Sequence, residues 1–173
     1  MSDLFPVNPN RVDPYKNYAF HVFLGDNAAP AAGVHGVGPV RRYTDVIEYN
    51  EGGSALTLKV PGRTHYDPVV LTKGITHDAE FEDWANAVQV LTNGIPSTSS
   101  ANLRKNMAIV LLNEERRPVR RYVFYRCWVS EYQAFPDLDA GANAVAITTV
   151  KLEFEWFERD LAVSEPAGPA RIG

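Results

Sequence analysis

Two packed antiparallel sheets, forming a small β-barrel or sandwich with one flanking α-helix, are the architecture this sequence predicts. Three observations lead there. Apolar residues alternate at period two in several separate segments, helical spacing occurs convincingly only once, and glycine, proline and asparagine clusters punctuate the chain between them. With 173 residues and 45% hydrophobic content, the chain is long enough for one core and too short for two.

Pro6, Pro9 and Pro14 set an extended arm over residues 1–17, because each proline removes a backbone donor and fixes φ. The domain is expected over 18–160 and a flexible tail over 161–173, where Pro166 and Pro169 lie among small residues. Tyr18, Phe20, Val22 and Leu24 share one face of a first strand, which the loop Gly25 to Gly33 ends. Val40 to Tyr49 is rich in β-branched and aromatic residues, and Asn50-Glu-Gly-Gly53 is a turn signal. Leu56, Leu58 and Val60 then line one side of a returning strand, with Thr57 and Lys59 on the other, so this region reads as a hairpin with a long, mobile tip. Pro61 to Thr64 punctuates the chain, and Val69 to Lys73 is a short strand ending at Gly74.

Phe81, Trp84, Ala85, Val88 and Leu91 fall at helical spacing. Asp78 is placed as the N-cap, Glu80 and Glu82 suit the positive helix start, and Asn93-Gly94 with Pro96 closes the helix. Ile95 to Asn102 is a Ser/Thr-rich loop, followed by strands at about Asn106 to Asn113, Val119 to Gln133 and Ala144 to Phe157. In the last of these, Ala146, Thr148, Val150, Leu152, Phe154 and Trp156 line one face, while Lys151, Glu153 and Glu155 line the other. A sheet domain of this kind has open strand edges, and an edge left unpaired in one subunit can pair with the next.

Composition argues against several function classes. A net charge of -4 makes no electrostatic case for nucleic acid as the principal partner. The local cluster Arg116-Arg117 and Arg120-Arg121, around Pro118, reads as a solvated hairpin rather than a phosphate site, since no glycine cradle or stacking platform accompanies it. Cys127, the single cysteine, lies in an apolar run and reads as a buried strand thiol. His21, His35, His65 and His77 occur singly, outside any metal-binding pattern. Asp137 and Asp139 resemble a calcium loop but lack the third oxygen ligand and distal glutamate, so a turn explains them better. Ser97, Ser99 and Ser100 lie outside any nucleophile motif, and Glu153 with Glu155 reads as a solvated strand face rather than an acid/base pair. These readings call for no cofactor, no metal and no catalytic residue. No apolar run reaches the roughly 18 to 20 residues that span a bilayer, and the first residues lack a signal-peptide pattern, so folding in the cytoplasm without a membrane anchor is expected.

Four ordered segments go further than fold class. Asp13-Pro-Tyr-Lys-Asn-Tyr-Ala-Phe-His-Val22 resembles the start of the contractile phage tail-tube proteins and their injection-system relatives, which share an Hcp-like tube fold. Val46 to Gly53 resembles that family's first hairpin tip. Leu58 to Tyr66, followed by Val69 to Asp78, is similar to its next strand pair leading into the one helix, which carries Trp84. Pro136 to Ile147, running into Leu152 to Arg159, is similar to its closing loop and strand. The resemblance spans about Asp13 to Arg159 and departs at Leu91 to Lys105 and after Asp160.

The resemblance implies a structural inner-tube subunit, not an enzyme, assembling as hexameric rings that stack into a hollow conduit inside a sheath. Neighbouring subunits would continue one another's sheets around the lumen. It implies as partners other copies of the chain, a sheath protein, baseplate or spike and tube-terminator proteins, and a cargo of DNA, tape-measure protein or effector. On this reading Asp13, Tyr15, Tyr49, Glu51, Gly52, Gly53 and Arg63 contribute contacts between subunits, and Lys151, Glu153 and Glu155 face the lumen or the sheath. The product would be a phage virion or a phage-tail-like injection particle. Rival readings are a secreted, ring-forming type VI tube protein that carries effectors, and a monomeric β-barrel module that binds a small ligand in an apolar cavity.

Overall fold

The computed structural model describes residues 15–53, 55–92, 103–141 and 144–164, with residues 89–92 described by their backbone only. The expected loop over 95–102, the helix-closing Asn93-Gly94 and Pro96, the packing of Leu91, most of the N-terminal arm and the end of the tail lie outside these residues.

Among the described residues nine strands and one helix follow in the order β1 (Phe20–Leu24), β2 (Val34–Val37), β3 (Arg42–Asn50), β4 (Thr57–Tyr66), β5 (Val69–Gly74), α1 (Glu80–Thr92), β6 (Lys105–Leu112), β7 (Pro118–Gln133), β8 (Ile147–Glu153) and β9 (Trp156–Asp160). All pairings are antiparallel. Seven strands form one strongly bent sheet in the order β1-β6-β7-β8-β5-β2, with β9 also on β7, and β3 and β4 form a separate two-stranded sheet. Mainly β architecture with packed antiparallel layers and one helix is as the alternation predicts, and the described strands do not close into a barrel. The loop after β1 covers part of its outer edge, where the Ala31 N–H donates to Val22 O at 2.7 Å.

Three features differ from the sequence reading. The strand expected to end at Val60, with Pro61 to Thr64 as a break, does not stop there, because β4 runs on to Tyr66 with Gly62 and Arg63 together opposite Asp45. The approach is close at that position: a Cβ on Gly62 would lie 3.2 Å from the Asp45 backbone oxygen and the Ile47 side chain. Second, Val34–Val37 is a strand, short and broken by Gly36, whose closeness to Thr72 leaves no room for a side chain. Third, the single strand expected over 144–157 is two, β8 and β9, and this moves Trp156 off the predicted core face. Thr148, Val150, Leu152 and Phe154 are buried as expected, but Trp156 stacks on Tyr125 at 4.9 Å while Phe157 joins the core. Period two fails there because two residues, Phe154 and Glu155, fall between the two ladders.

The core lies inside the bend. Val22, Leu24, Leu71, Met107, Phe124, Cys127, Val150 and Leu152 fill it from the strands, and Phe81 and Trp84 from α1. Tyr66, Phe124, Phe154 and Phe157 meet largely edge to face with ring centroids 5.1–6.1 Å apart. The Trp84 indole N–H donates to Leu103 O at 2.8 Å, which ties the helix to the strand that follows it. Burial pushes the Cys127 thiol up to about 12, so the thiol is a packing group.

One charge sits among these side chains. β5 sends Val69, Leu71 and Lys73 inward at period two, and Lys73 is only 4% exposed. Its ammonium donates to Asp78 Oδ2 at 2.6 Å and lies 5.0 Å from the Phe81 ring centroid. Asp78 Oδ1 accepts the Glu80 N–H at 3.0 Å, so one carboxylate both caps α1 and neutralises the sheet's buried cation. The Lys73 hydrogen bond, and after it the Glu80 N–H, hold this carboxyl below the usual carboxylate range. A carboxyl lowered in the folded state stabilises the fold above its unfolded pKa, about 3.9, and loses that contribution as pH falls through the folded value. Asp78→Asn is therefore expected to cost about 3 kcal/mol near neutral pH, because it strands the Lys73 ammonium. The difference from the parent should shrink below about pH 4. Lys73→Met, which leaves the cap in place, should cost less, and urea melts at both pH values measure each loss.

Candidate functional site

The β3–β4 hairpin is built as a surface rather than as part of the core. Every residue of β3 is exposed, and neither strand pairs with the main sheet. The register sets its chemistry. Ile47 pairs with Val60 and Tyr49 with Leu58, so these four share one face, 38–52% exposed. Glu48 pairs with Lys59 and Asn50 with Thr57 on the opposite face, where Lys59 Nζ lies 3.1 Å from Glu48 Oε1. One face is apolar and the other is polar. An isolated two-stranded ribbon is marginal in water, and this one leaves its apolar face open.

The hairpin's base is held by groups that single-residue pattern reading did not connect. Asp45, at the bulge opposite Gly62 and Arg63, takes a hydrogen bond with His65 Nε2 at 2.9 Å. Tyr43 stacks on the His65 ring at 5.1 Å, Thr44 and Thr64 hydroxyls meet at 2.9 Å, and Arg41 binds Asp67. His65 reads from sequence as an isolated histidine, because its partner is twenty residues away and adjacent only through the strand register. At the other end Gly53 turns the chain at φ +91°, a conformation open to glycine.

Of the residues read as inter-subunit contacts, Tyr49, Glu51, Gly52 and Gly53 gather at the hairpin's far end and Arg63 is exposed near its base. Tyr15 lies elsewhere, 36% exposed with the Arg120 guanidinium 5.9 Å from its ring centroid, and Asp13 is outside the described residues. Lys151 and Glu153 lie on the solvent face of β8. Glu155 departs from that face: between β8 and β9, its Oε1 receives Arg104 at 2.5 Å and Arg126 at 3.0 Å. Arg126 stands at φ +57°, and its backbone N–H donates to Asn106 Oδ1 at 3.1 Å. Glu155 is thus part of the bend in the sheet. The Arg116 region forms the expected turn, closed by Asn113 Oδ1 accepting the Arg117 N–H at 2.9 Å. Asp139 likewise sits in a turn, accepting the Gly141 N–H.

A model of the family described as T4-like virus tail tube protein gp19 matches residues 16–158 of the chain. No curated protein sequence matches it significantly. Among solved structures, a chain in the sixfold-symmetrised cryo-EM structure of the anti-feeding prophage baseplate is 23% identical with a TM-score of 0.71, over 86% of this chain and 97% of that one. A chain of an extracellular contractile injection system, from its sheath-tube complex in the extended state, is 23% identical with a TM-score of 0.69, over 85% and 91%. One in the tube-terminating cap of the anti-feeding prophage is 21% identical with a TM-score of 0.71, over 90% and 99%. These three likenesses show the fold.

The two glutamates that pattern reading grouped should behave differently. Glu155→Ala removes both arginine contacts at the bend and is expected to cost about 1 kcal/mol. Glu153→Ala should stay within about 0.5 kcal/mol of the parent. Chemical denaturation of the two variants checks the contrast.

Proposed function

Because this chain belongs to the T4-like virus tail tube protein family and is a structural inner-tube subunit rather than an enzyme, we propose that its protomers form hexameric rings that stack into a hollow conduit. The sixfold symmetry of the related baseplate structure supports rings of six. The observation that carries the stacking is the uncovered apolar face of the β3–β4 hairpin. Ile47, Tyr49, Leu58 and Val60 are half exposed, and burying the remainder is worth on the order of 1 kcal/mol each. A neighbouring protomer of a second ring is the cover this reading gives them. Glu51 and Arg63, with Asp13 and Tyr15 of the arm, would add polar contacts across rings, and the hairpin tip at Gly52 and Gly53 would let the ribbon fit its neighbour closely.

The partners follow from the same reading. Related chains come from structures of a sheath-tube complex, a baseplate, a cap and a sheath/tube terminator, and the corresponding proteins of its own machine would bind this tube at its wall and its two ends. Assembly in the cytoplasm into a phage tail or an injection particle fits this role. DNA, a tape-measure protein or an effector would pass through the lumen, and Lys151 and Glu153 would face either the lumen or the sheath. Sheath contraction would drive the tube forward, so the subunit's task is to stay folded and stay joined.

Negative-stain electron microscopy with sedimentation velocity across a concentration series tests the proposal. The parent chain is expected to give rings or stacked tubes. Tyr49→Ser with Leu58→Ser should abolish stacking while leaving the monomer's melting temperature within about 2 °C, since both side chains are already exposed. Gly52→Pro with Gly53→Pro should act alike, because proline cannot reach the positive φ at position 53. Normal tubes from these variants would remove the hairpin from the contact.

A further inference from the structure

A second pair of matching surfaces lies away from the hairpin. His21, Phe23, Val110, Leu112, Pro118 and Arg121 line a groove of about 460 Å³ where β1, β6 and the start of β7 meet. Asp26 also lines it, and Arg121 has Asp160 at 3.8 Å. His21 and Asn27 add polar edges to the groove, and Arg121 is the cation that lines it, Arg120 turning to the opposite face of β7 beside Tyr15. Arg116, Arg117, Arg120 and Arg121 fall within six residues at this end of β7. Arg116 makes no ion pair among the described residues. Nε of Arg120 and of Arg121 is buried without a hydrogen-bond partner among them. Buried donors of this kind cost free energy until something accepts from them.

The complementary chemistry is at the opposite end of the same strand. After β7 the chain runs as an exposed coil in which Phe135 is 62% and Leu138 73% exposed, alternating with the exposed carboxylates of Asp137 and Asp139. Its stem is fixed, since Thr148 Oγ1 donates to Ala134 O and Gln133 Nε2 donates to Phe135 O, both at 3.2 Å. Two large apolar side chains are therefore held out in water, Leu138 between the two acids and Phe135 before them.

We propose that the Phe135–Asp139 segment of one protomer docks in the groove beside Arg121 of another, Phe135 and Leu138 packing on Phe23, Val110, Leu112 and Pro118, and Asp137 and Asp139 meeting Arg121 and the turn arginines Arg116 and Arg117. This inference rests on the self-assembly reading above and adds a contact to it. Donor and acceptor are different patches separated by most of β7, at most about 45 Å at the rise of a strand. The contact is consequently head-to-tail, the kind that propagates into a ring or a filament rather than closing as a two-fold dimer.

The test uses the full chain. Asp137→Lys with Asp139→Lys is expected to raise the concentration needed for half assembly by at least about tenfold, read by sedimentation velocity and pelleting, with an unchanged thermal melt because the segment is exposed. Adding Arg121→Glu should recover part of that loss, and Leu138→Ser alone should weaken assembly without any charge change. Loop variants that assemble like a parent chain that itself forms tubes would overturn this docking and leave the tube reading standing. A parent chain that is monomeric at every concentration would overturn the self-assembly reading, and this contact with it.

Discussion

Arg126 stands near the middle of the sixteen-residue strand β7 at φ +57°, its N–H held by Asn106 and its guanidinium on Glu155. A non-glycine residue in that region costs on the order of 1 kcal/mol or more, so the position persists only because neighbours on both sides fix it. On β6, one residue, Asn106, faces two, Tyr125 and Arg126, which is a β-bulge. On the other side the partner strand changes from β8 to β9 with Phe154 and Glu155 between them. The two interruptions coincide, so β7 bends without losing either neighbour. One half of it then pairs with β6 and β9, and the other half with β8. The layers of the domain share a strand, and the core is what lies inside the bend.

The shared strand joins the layers of the domain, and the hairpin pairs with none of them. The aromatic group around Phe124, Phe154 and Phe157 sits at the bend, and Tyr66 packs on Phe154 and Phe157 from the last residue of β4. The hairpin is therefore anchored at its base by Tyr66 and by the Arg42 guanidinium 5.9 Å from the Phe157 ring centroid, while the Asp45 and His65 pair ties its two strands together. Beyond that base its two strands have only each other among the described residues. Its apolar face cannot turn inward, since the core it would join is filled. That leaves water or another molecule.

Fold class was legible because alternation survives wherever one face is buried. Val22 and Leu24, Val69 and Leu71, and Thr148, Val150 and Leu152 all point inward as period two requires. The helix was legible from Phe81, Trp84 and the Asp78 cap, and the hairpin from Asn50 to Gly53. Three things were not. Trp156 was misplaced because a two-residue interruption reverses the faces, and nothing local distinguishes Phe154-Glu-Trp-Phe157 from a continuing strand. The continuation of β4 through Pro61 and Gly62 was hidden because both residues ordinarily end strands. Here a bulge on an exposed ribbon accommodates them. Lys73 faces the core because its partner Asp78, five residues on, serves a different element. The candidate site was legible as a hairpin tip and, on the returning strand, as the side that carries Leu58 and Val60; that Ile47 and Tyr49 join that side depends on register, which the turn sets and composition does not show.

The magnitudes bear on how such a subunit assembles. Four half-exposed side chains give one hairpin a gross gain of about 4 kcal/mol, against roughly 4–15 kcal/mol lost when two free bodies become one. A single hairpin contact is thus too weak to hold two protomers. It becomes effective only when a protomer that is already fixed by one contact makes the next within the same body, where most of the association cost has been met. The proposed ring would supply that condition, because its six hairpins would act together, and the same arithmetic would make the first ring the slow step. On the proposed reading the apolar face is tolerated on a small ribbon until a neighbouring protomer covers it.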